Sequence, residues 1–336
     1  MDPSQNPASS RHATDILAMG DALVDVIATC DDDFLTRFDL PRGAMQLLDE
    51  PQALALYDAM GSAREMSGGS AANSMAGAAA MGADVAFVGQ VADDQLGTIF
   101  THDMRALGVK FDTPPLTEGP STGRCLILVT PDGERTMNTC PGAAHCLSRD
   151  AVDEAAVRAA SILYLEGYLF GPELSRQAMF RAIDIAHAAE RTVAFTLSES
   201  VCLPGRREPL QKLIAAGGID LIFANESEAL QLAGAADLDE AIGRLSTQVR
   251  TLVFTRGPAG ALAFENGLTT EVPAISVPQV IDTTGAGDLF AAGFLAARCK
   301  GHPIDRQLMT GGIAAAEIIS HFGARPVADL ADLVKL

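Results

Sequence analysis

Ile281-Asp282-Thr283-Thr284-Gly285-Ala286-Gly287-Asp288-Leu289-Phe290 decides the reading of this chain. Residues 291–298, rich in alanine and leucine, read as a helix, and Ala274-Ile275-Ser276-Val277 reads as a short strand ahead of it. The glycines then mark a strand-to-helix turn. Gly285 and Gly287 let the backbone turn tightly, and without a Cβ they let a ligand come close. The first turn of a helix offers unpaired N–H groups and the positive end of the macrodipole. Together these form an anion site, most naturally for phosphate. Asp288 is out of place there, since a carboxylate repels an anion. A general base explains it: the carboxylate takes a proton from an attacking hydroxyl while the amides hold a transferring phosphoryl group. The plainer alternative is an acidic residue that complements the helix dipole.

The composition sets the limits. A chain of 336 residues, 48% hydrophobic, buries one large core with room for a small satellite domain. With 24 basic against 43 acidic residues its net charge is −19, which disfavours nucleic acid and anionic membranes as partners. No run of 18 apolar residues occurs, so no transmembrane helix is expected. Residues 1–13 are polar, lack the apolar core of a secretory signal, and read as a disordered tail. The six cysteines form no CxxC pair and read as reduced thiols of a cytoplasmic protein; the six histidines show no metal-binding spacing.

Taken in order, Asp15-Ile16-Leu17-Ala18-Met19-Gly20 reads as a buried first strand. Asp21 and Asp25 follow it, where α/β proteins bind ligands, although the spacing alone suits turn aspartates as well. Residues 26–50 break the α/β rhythm with a polar turn at 31–33, a short helix at 34–38 and a strand at 43–48. Ser67-Gly68-Gly69-Ser70-Ala71-Ala72-Asn73 opens a small-residue helix over 71–81, with Ser70 as its N-cap. Residues 122–130 and 135–139 are β-rich and flank the hairpin turn Pro131-Asp132-Gly133-Glu134. Arg135, just past it, reads either as a phosphate clamp or as a solvated hairpin arginine. From residue 151 onward, strands at 162–165, 192–197, 221–224 and 251–255 alternate with helical patterns, the signature of a parallel sheet covered on both faces. Asn225-Glu226-Ser227-Glu228 follows a strand directly and has the form of a capping box.

Neither a P-loop nor a Rossmann fingerprint is present, the glycine turn lying close to the C-terminus. Instead, the stretch from Asp282 to Asp288, with Phe290 and Gly293 after it, resembles the C-terminal motif of the ribokinase-like (PfkB) family of carbohydrate and nucleoside kinases. Residues 67–73 resemble that family's N-terminal motif, residues 88–97 its G-x-V/I-G-x-D-x-x-G pattern, and Asn225-Glu226-Ser227-Glu228 its Asn-x-x-Glu motif. The motifs occur in the family's order, and the resemblance covers nearly the whole chain after Ala13. It implies a three-layer α/β/α core with a mostly parallel sheet and a small β-sheet lid. The lid would come from residues of about 26–50 and 110–140, on one kinase domain of residues 14–336.

The resemblance also implies roles. The γ-phosphoryl group of ATP would pass to a primary hydroxyl, with Asp288 as base and the amides from Thr284 through Gly285, Ala286 and Gly287 as the anion hole. Asp25 would bind two sugar hydroxyls and Asn73 would also hold the sugar. Gly68 and Gly69 would be the hinge of the lid, and Arg135 would reach the phosphates. Asn225 and Glu228 would organise Mg²⁺ through its waters, and Thr255, Gly257 and Gly260 would lie along the nucleotide. The small residues Ala314-Ala315-Ala316, in a helix at 311–320, would sit beside the adenine. A monovalent cation such as K⁺, which the family often uses, would lie at Asp282 and Thr284. The layout of the lid segment resembles the adenosine kinase branch, so adenosine is the expected acceptor, with a simple sugar such as ribose or fructose as the alternative. A nucleoside needs an apolar slot, to which Phe34, Phe170 and Leu126 are candidates. Partners beyond the small acceptor and ATP are not implied, and the protein would act as a monomer or homodimer. A non-catalytic ligand-binding regulator is a third reading, opposed by the intact Asp288, Asn225 and Glu228.

Overall fold

A computed structural model describes residues 14–198 and 205–336; the expected tail at 1–13 lies outside them. Nine strands form one sheet, in the order β14 (Leu268–Val272), β13 (Ala261–Glu265), β12 (Thr251–Thr255), β11 (Leu221–Asn225), β10 (Thr192–Thr196), β9 (Ala160–Glu166), β1 (Thr14–Met19), β5 (Val85–Val88) and β6 (Lys110–Phe111). From β12 to β6 neighbours run parallel, and β13 and β14 close one edge antiparallel.

The central strand explains the layers. β1 is apolar at every position from Ile16 to Met19 because both of its faces are covered. Ile16 and Ala18 point into one core, with helices α3 (Ser70–Ala80), α4 (Gln95–Ala106), α10 (Ala286–Cys299), α11 (Ile304–Ile318) and α12 (Leu330–Val334). Leu17 and Met19 point into the other, with α5 (Glu154–Ala159), α6 (Glu173–Ala188), α7 (Arg207–Ala215), α8 (Glu226–Ala233) and α9 (Leu238–Leu245). This is the three-layer α/β/α core. None of the described helices is long and apolar enough to cross a membrane.

A second, five-stranded sheet has the order β3 (Met45–Leu47), β8 (Arg135–Cys140), β7 (Gly123–Val129), β2 (Leu23–Thr29) and β4 (Arg64–Gly68), with α1 (Asp32–Arg37) and α2 (Glu50–Ala59) beside it. The excursions expected at 26–50 and 110–140 contain β3, β7 and β8. However, β2 begins earlier, β4 lies between the two segments, and residues 110–111 pair with β5 in the large sheet. Two local readings are corrected. Residues 274–277 form no strand: Pro273 ends β14, and the chain runs irregularly to Ile281, whose N–H donates to the Ile319 carbonyl. The N-cap of α3 is Gly69, with no side-chain cap bond, and Ser70 is already inside the helix.

Candidate active site

The N-terminus of α10 is the floor of the site. Gly285 caps it in the left-handed conformation, φ +79°, and a Cβ there would come within 2.9 Å of the Ala324 methyl. Asp288 is the third residue of the helix. Its Oδ1 accepts from the Ser70 hydroxyl at 2.6 Å and its Oδ2 from the Asn73 amide nitrogen at 3.0 Å. Ser70 and Asn73 lie three apart and so share a face of α3. That face comes close to α10 because Gly77 has no side chain: a Cβ on it would lie 2.5 Å from Leu289 Cδ1. Burial pushes the Asp288 carboxyl above its ordinary range, offset by the two hydrogen bonds and by Arg325. The result is an oriented carboxylate whose proton affinity is raised.

Two of the four amides expected as the anion hole are otherwise engaged. The Thr284 N–H donates to Asp282 Oδ1 at 3.0 Å and the Ala286 N–H to the Thr283 carbonyl at 3.2 Å. Gly285 and Gly287 line the cavity, and a Cβ on Gly287 would meet no heavy atom within 4 Å, so an anion approaches the helix end there. Asp282 is held below its ordinary range against the upward push of burial, by the N–H groups of Gly323 and Thr284 and by Arg135. Its ion pair with Arg135 is 2.8 Å long, with side chains 11% and 7% exposed. Arg135 is therefore not a solvated hairpin arginine. It ties β8 of the small sheet to the loop before α10, with its guanidinium 5.9 Å from the Phe322 ring.

Asp25 stands on β2, opposite Met66 in the middle of β4. A Cβ on Gly68 would fall 2.5 Å from the Asp25 carboxyl carbon, so glycine is what lets the two strands carry a carboxylate between them. Burial raises the Asp25 pKa to about 6, against the attraction of Arg325 and Arg135 and with the help of Asp288. Gly69 is fixed for another reason: its φ is +98° and a Cβ would lie 2.3 Å from the Asp21 carbonyl oxygen. Beneath it, Glu166 is fully buried, accepting the N–H groups of Asp21 and Ala71 at 2.6 Å each. Burial first, then Asp21, raises its pKa strongly.

At the opposite end, Asn225 and Glu228 form a reciprocal capping box at the start of α8, both bonds 2.8 Å. They line the same cavity as Thr255 at the end of β12. Gly257 and Gly260 lie in the turn beyond and do not line it; Gly260 is required by packing, since a Cβ would be 2.1 Å from the Val272 carbonyl oxygen. The small residues of α11 have a packing role as well. A Cβ on Gly311 would lie 2.7 Å from the Phe290 carbonyl oxygen and one on Gly293 the same distance from that of Thr310, so these positions set the α10–α11 crossing.

The cavity between the two sheets measures about 460 Å³. It collects Asp25, Gly69, Asn73, Asn225, Glu228, Thr255, Thr284, Gly285, Gly287 and Asp288, while Gly68, Arg135, Asp282 and Ala286 do not line it. The small sheet supplies an apolar wall of Leu23, Met45, Leu47, Cys125, Ile127 and Met137. The three apolar candidates named from sequence are elsewhere. Phe34 packs on Phe38, Phe170 is buried against Phe195 beneath the far face, and Leu126 points into the core. The alternation of β7 explains the last, since Cys125 and Ile127, its two neighbours, face the cavity instead. Ser70, Glu166 and Arg325 were missed. Ser70 reads as a cap and Glu166 as a strand end, and nothing local marks Arg325.

The comparisons agree with this geometry. The model of the pfkB family of carbohydrate kinases matches residues 55–330. An adenosine kinase from Dictyostelium discoideum is 30% identical over 92% of this chain and 95% of its own. Among solved structures, an adenosine kinase from Sinorhizobium meliloti has a TM-score of 0.88 at 42% identity, covering 96% of this chain and 98% of its own. A Rhizobium etli protein described as a probable sugar kinase has a TM-score of 0.89 at 40% identity, with the same coverage. A family model spanning residues 55–330, on a ribokinase-like fold shared end to end with these structures, places the chain in the PfkB family of carbohydrate kinases.

Proposed function

We propose that this kinase phosphorylates adenosine, moving the γ-phosphoryl group of ATP to the primary hydroxyl of the ribose to give AMP and ADP. One observation carries the reading. Asp288 and Asp25 stand in the same cavity as an open helix N-terminus, and that cavity has an apolar wall. The carboxylates suit a polyol, the helix end suits a phosphoryl group, and the apolar wall suits a base. In the reaction Asp288 accepts the hydroxyl proton as the oxygen attacks phosphorus, and the bond from phosphorus to the departing ADP oxygen breaks. Ser70 and Asn73 hold the carboxylate in place. Gly285 and Gly287 offer their N–H groups to the transferring oxygens, a stabilisation that acts where charge moves. Asp25 and Asn73 hold the ribose, and the small sheet acts as a lid over it, with Gly68-Gly69 at its junction with α3. Arg135 reaches the phosphates from the lid.

Magnesium neutralises the phosphates when bound. Asn225 and Glu228, joined in their capping box and both lining the cavity, would hold it through its waters. A monovalent cation at Asp282 and Thr284 does not fit this arrangement. The Asp282 carboxylate is already matched by Arg135 and two N–H groups, and a second cation would sit against the guanidinium.

A simple sugar is the second reading, supported by the similarity to the Rhizobium etli protein. Initial rates of ADP formation with ATP and a panel of adenosine, other nucleosides, ribose and fructose separate the two. Adenosine should have the highest kcat/KM. A sugar that outperforms every nucleoside overturns the adenosine reading, because the apolar wall would then have no ligand to match.

A further inference from the structure

Arg325 lies in the loop after α11, and it joins three parts of the site. Its Nη1 donates to Asn73 Oδ1, and its Nη2 donates to the Ser67 carbonyl at 2.7 Å and the Ser67 hydroxyl at 3.0 Å. Ser67 is on the small-sheet side of Gly68-Gly69 and Asn73 is on the α3 side, so one guanidinium spans the junction. We propose that Arg325 is a positioning residue for phosphoryl transfer: it fixes the amide of Asn73 toward Asp288, ties that amide to the small sheet, and places a positive charge beside both acceptor-site carboxylates. The inference rests on the kinase reading above.

The chemistry of the groups fixes the direction. A guanidinium has donors only, so the Asn73 group facing it must be the carbonyl oxygen. The amide nitrogen is then the atom that faces Asp288 Oδ2, 3.0 Å away. A flipped amide would set an N–H₂ against the guanidinium and a carbonyl against the carboxylate, two repulsive contacts in place of two attractive ones. Arg325 thus decides that the base receives a hydrogen bond there. The same loop reaches the anion site, since Gly323 donates to Asp282 and Ala324 abuts Gly285.

Charge adds to this. Arg325 faces Asp25, Asp288 and Asp103. Asp25 also faces Arg135, Asp288 and the Cys125 thiol, and Asp288 also faces Ser70, Asn73, Glu166 and the Tyr164 hydroxyl. Of these, Arg325 is the strongest attraction acting on Asp25 and the cation acting on Asp288. Without it, both carboxyls hold their protons to higher pH.

The test uses the full chain, with folding followed by thermal unfolding and ATP binding by calorimetry. Arg325→Met removes charge and donors; Arg325→Lys keeps the charge but cannot span Asn73 and Ser67 with a planar fork. For Arg325→Met we expect kcat to fall roughly tenfold or more, and the acid limb of kcat/KM for adenosine to move up by about one pH unit, with ATP affinity retained. Arg325→Lys should return the acid limb to its wild-type position while kcat stays depressed. A folded Arg325→Met with an unmoved acid limb and wild-type kcat overturns the proposal, as does a loss confined to thermal stability. If Arg325→Met does not fold, Arg325→Lys decides: wild-type kcat in that variant refutes the positioning role. Wild-type protein that phosphorylates neither adenosine nor any sugar would instead refute the kinase reading, before any variant is compared.

Discussion

Asp25 gives a prediction in which stability and function move in opposite directions. Its folded-state pKa is about 6 against an ordinary 3.8. A carboxyl with a raised folded pKa binds its proton more tightly in the folded protein, so this group lowers stability above pH 6. The penalty shrinks as pH falls through 6 and is nearly gone near 3.8. Two units correspond to about 3 kcal/mol at most. The side chain is partly open to solvent, and screening leaves about 1.5 kcal/mol as the working value. Asp25→Asn keeps the shape and removes the charge. For a chain of this size that gain should raise Tm by about 2 °C at pH 8.

The same change removes a charged acceptor for the ribose hydroxyls, each such bond contributing about 1.5–3 kcal/mol. Adenosine affinity should therefore fall by roughly tenfold to a hundredfold while ATP affinity holds. Scanning calorimetry at pH 8 and pH 5, with isothermal titration of each ligand, reads both effects. The gain in Tm should be about half as large at pH 5. An Asn variant no more stable than wild type at pH 8, or one whose advantage is undiminished at pH 5, would show that burial does not charge this carboxylate with the penalty described. Equal loss of affinity for both ligands would remove Asp25 from the acceptor site.

Four further substitutions separate the parts of the site. Asp288→Asn should lower kcat by roughly 10²–10⁴ with nucleotide binding kept, as for any lost general base; near-normal turnover would sink the mechanism. Arg135→Gln should lower kcat roughly 10²-fold if Arg135 acts on the phosphates as proposed, and it also unties β8 from Asp282; a variant with unchanged kcat would leave Arg135 only the structural tie. Gly68→Ala drives a methyl against the Asp25 carboxyl and should raise the adenosine KM with little change in that for ATP. Gly69→Ala meets the Asp21 carbonyl in a left-handed backbone and should instead destabilise the chain by about 1–3 kcal/mol, measured by denaturant unfolding. If the two alanine variants behave alike, the division of labour between the glycines is wrong.

The fold was legible because its signals are local. β1 is apolar without interruption since both faces are covered, and strand–helix alternation after residue 151 leads to the parallel sheet. The glycine turn before Asp288 was readable for the same reason: chain stiffness and helix ends act over a few residues. Failures occurred where a position is set from a distance. Residues 274–277 have strand composition, but Pro273 ends β14, and the chain is next tied at Ile281, whose N–H donates to the Ile319 carbonyl just past α11. Leu126 was sought in the cavity, yet its orientation follows from the register of β7 against β2, which no single stretch encodes. The packing role of Gly311 in α11 was likewise not legible, since only the approach of Phe290 shows that a glycine is needed there.

Site charge shows why long-range contacts matter most where chemistry is done. A net charge of −19 disfavours nucleic acid and anionic membranes, and the cavity itself gathers Asp21, Asp25, Glu166 and Asp288. Phosphate nevertheless has a place, because the opposing charge is built from parts far apart in sequence. Arg135 comes from the small sheet, Arg325 from the loop after α11, and the helix end at Gly285 from the large core. Arg135 is matched at 2.8 Å by Asp282, so its charge is positioned before any ligand arrives. Arg325 is held by Asn73 and Ser67, neutral groups, and its charge is left to act on Asp25 and Asp288. One arginine is thus paired with a carboxylate in the loop before α10, and the other is solvated by neutral oxygens beside Asp25 and Asp288. Moving the carboxylate from Asp282 to a position beside Arg325 would alter the charge at each end without changing the total, which is why composition cannot report it.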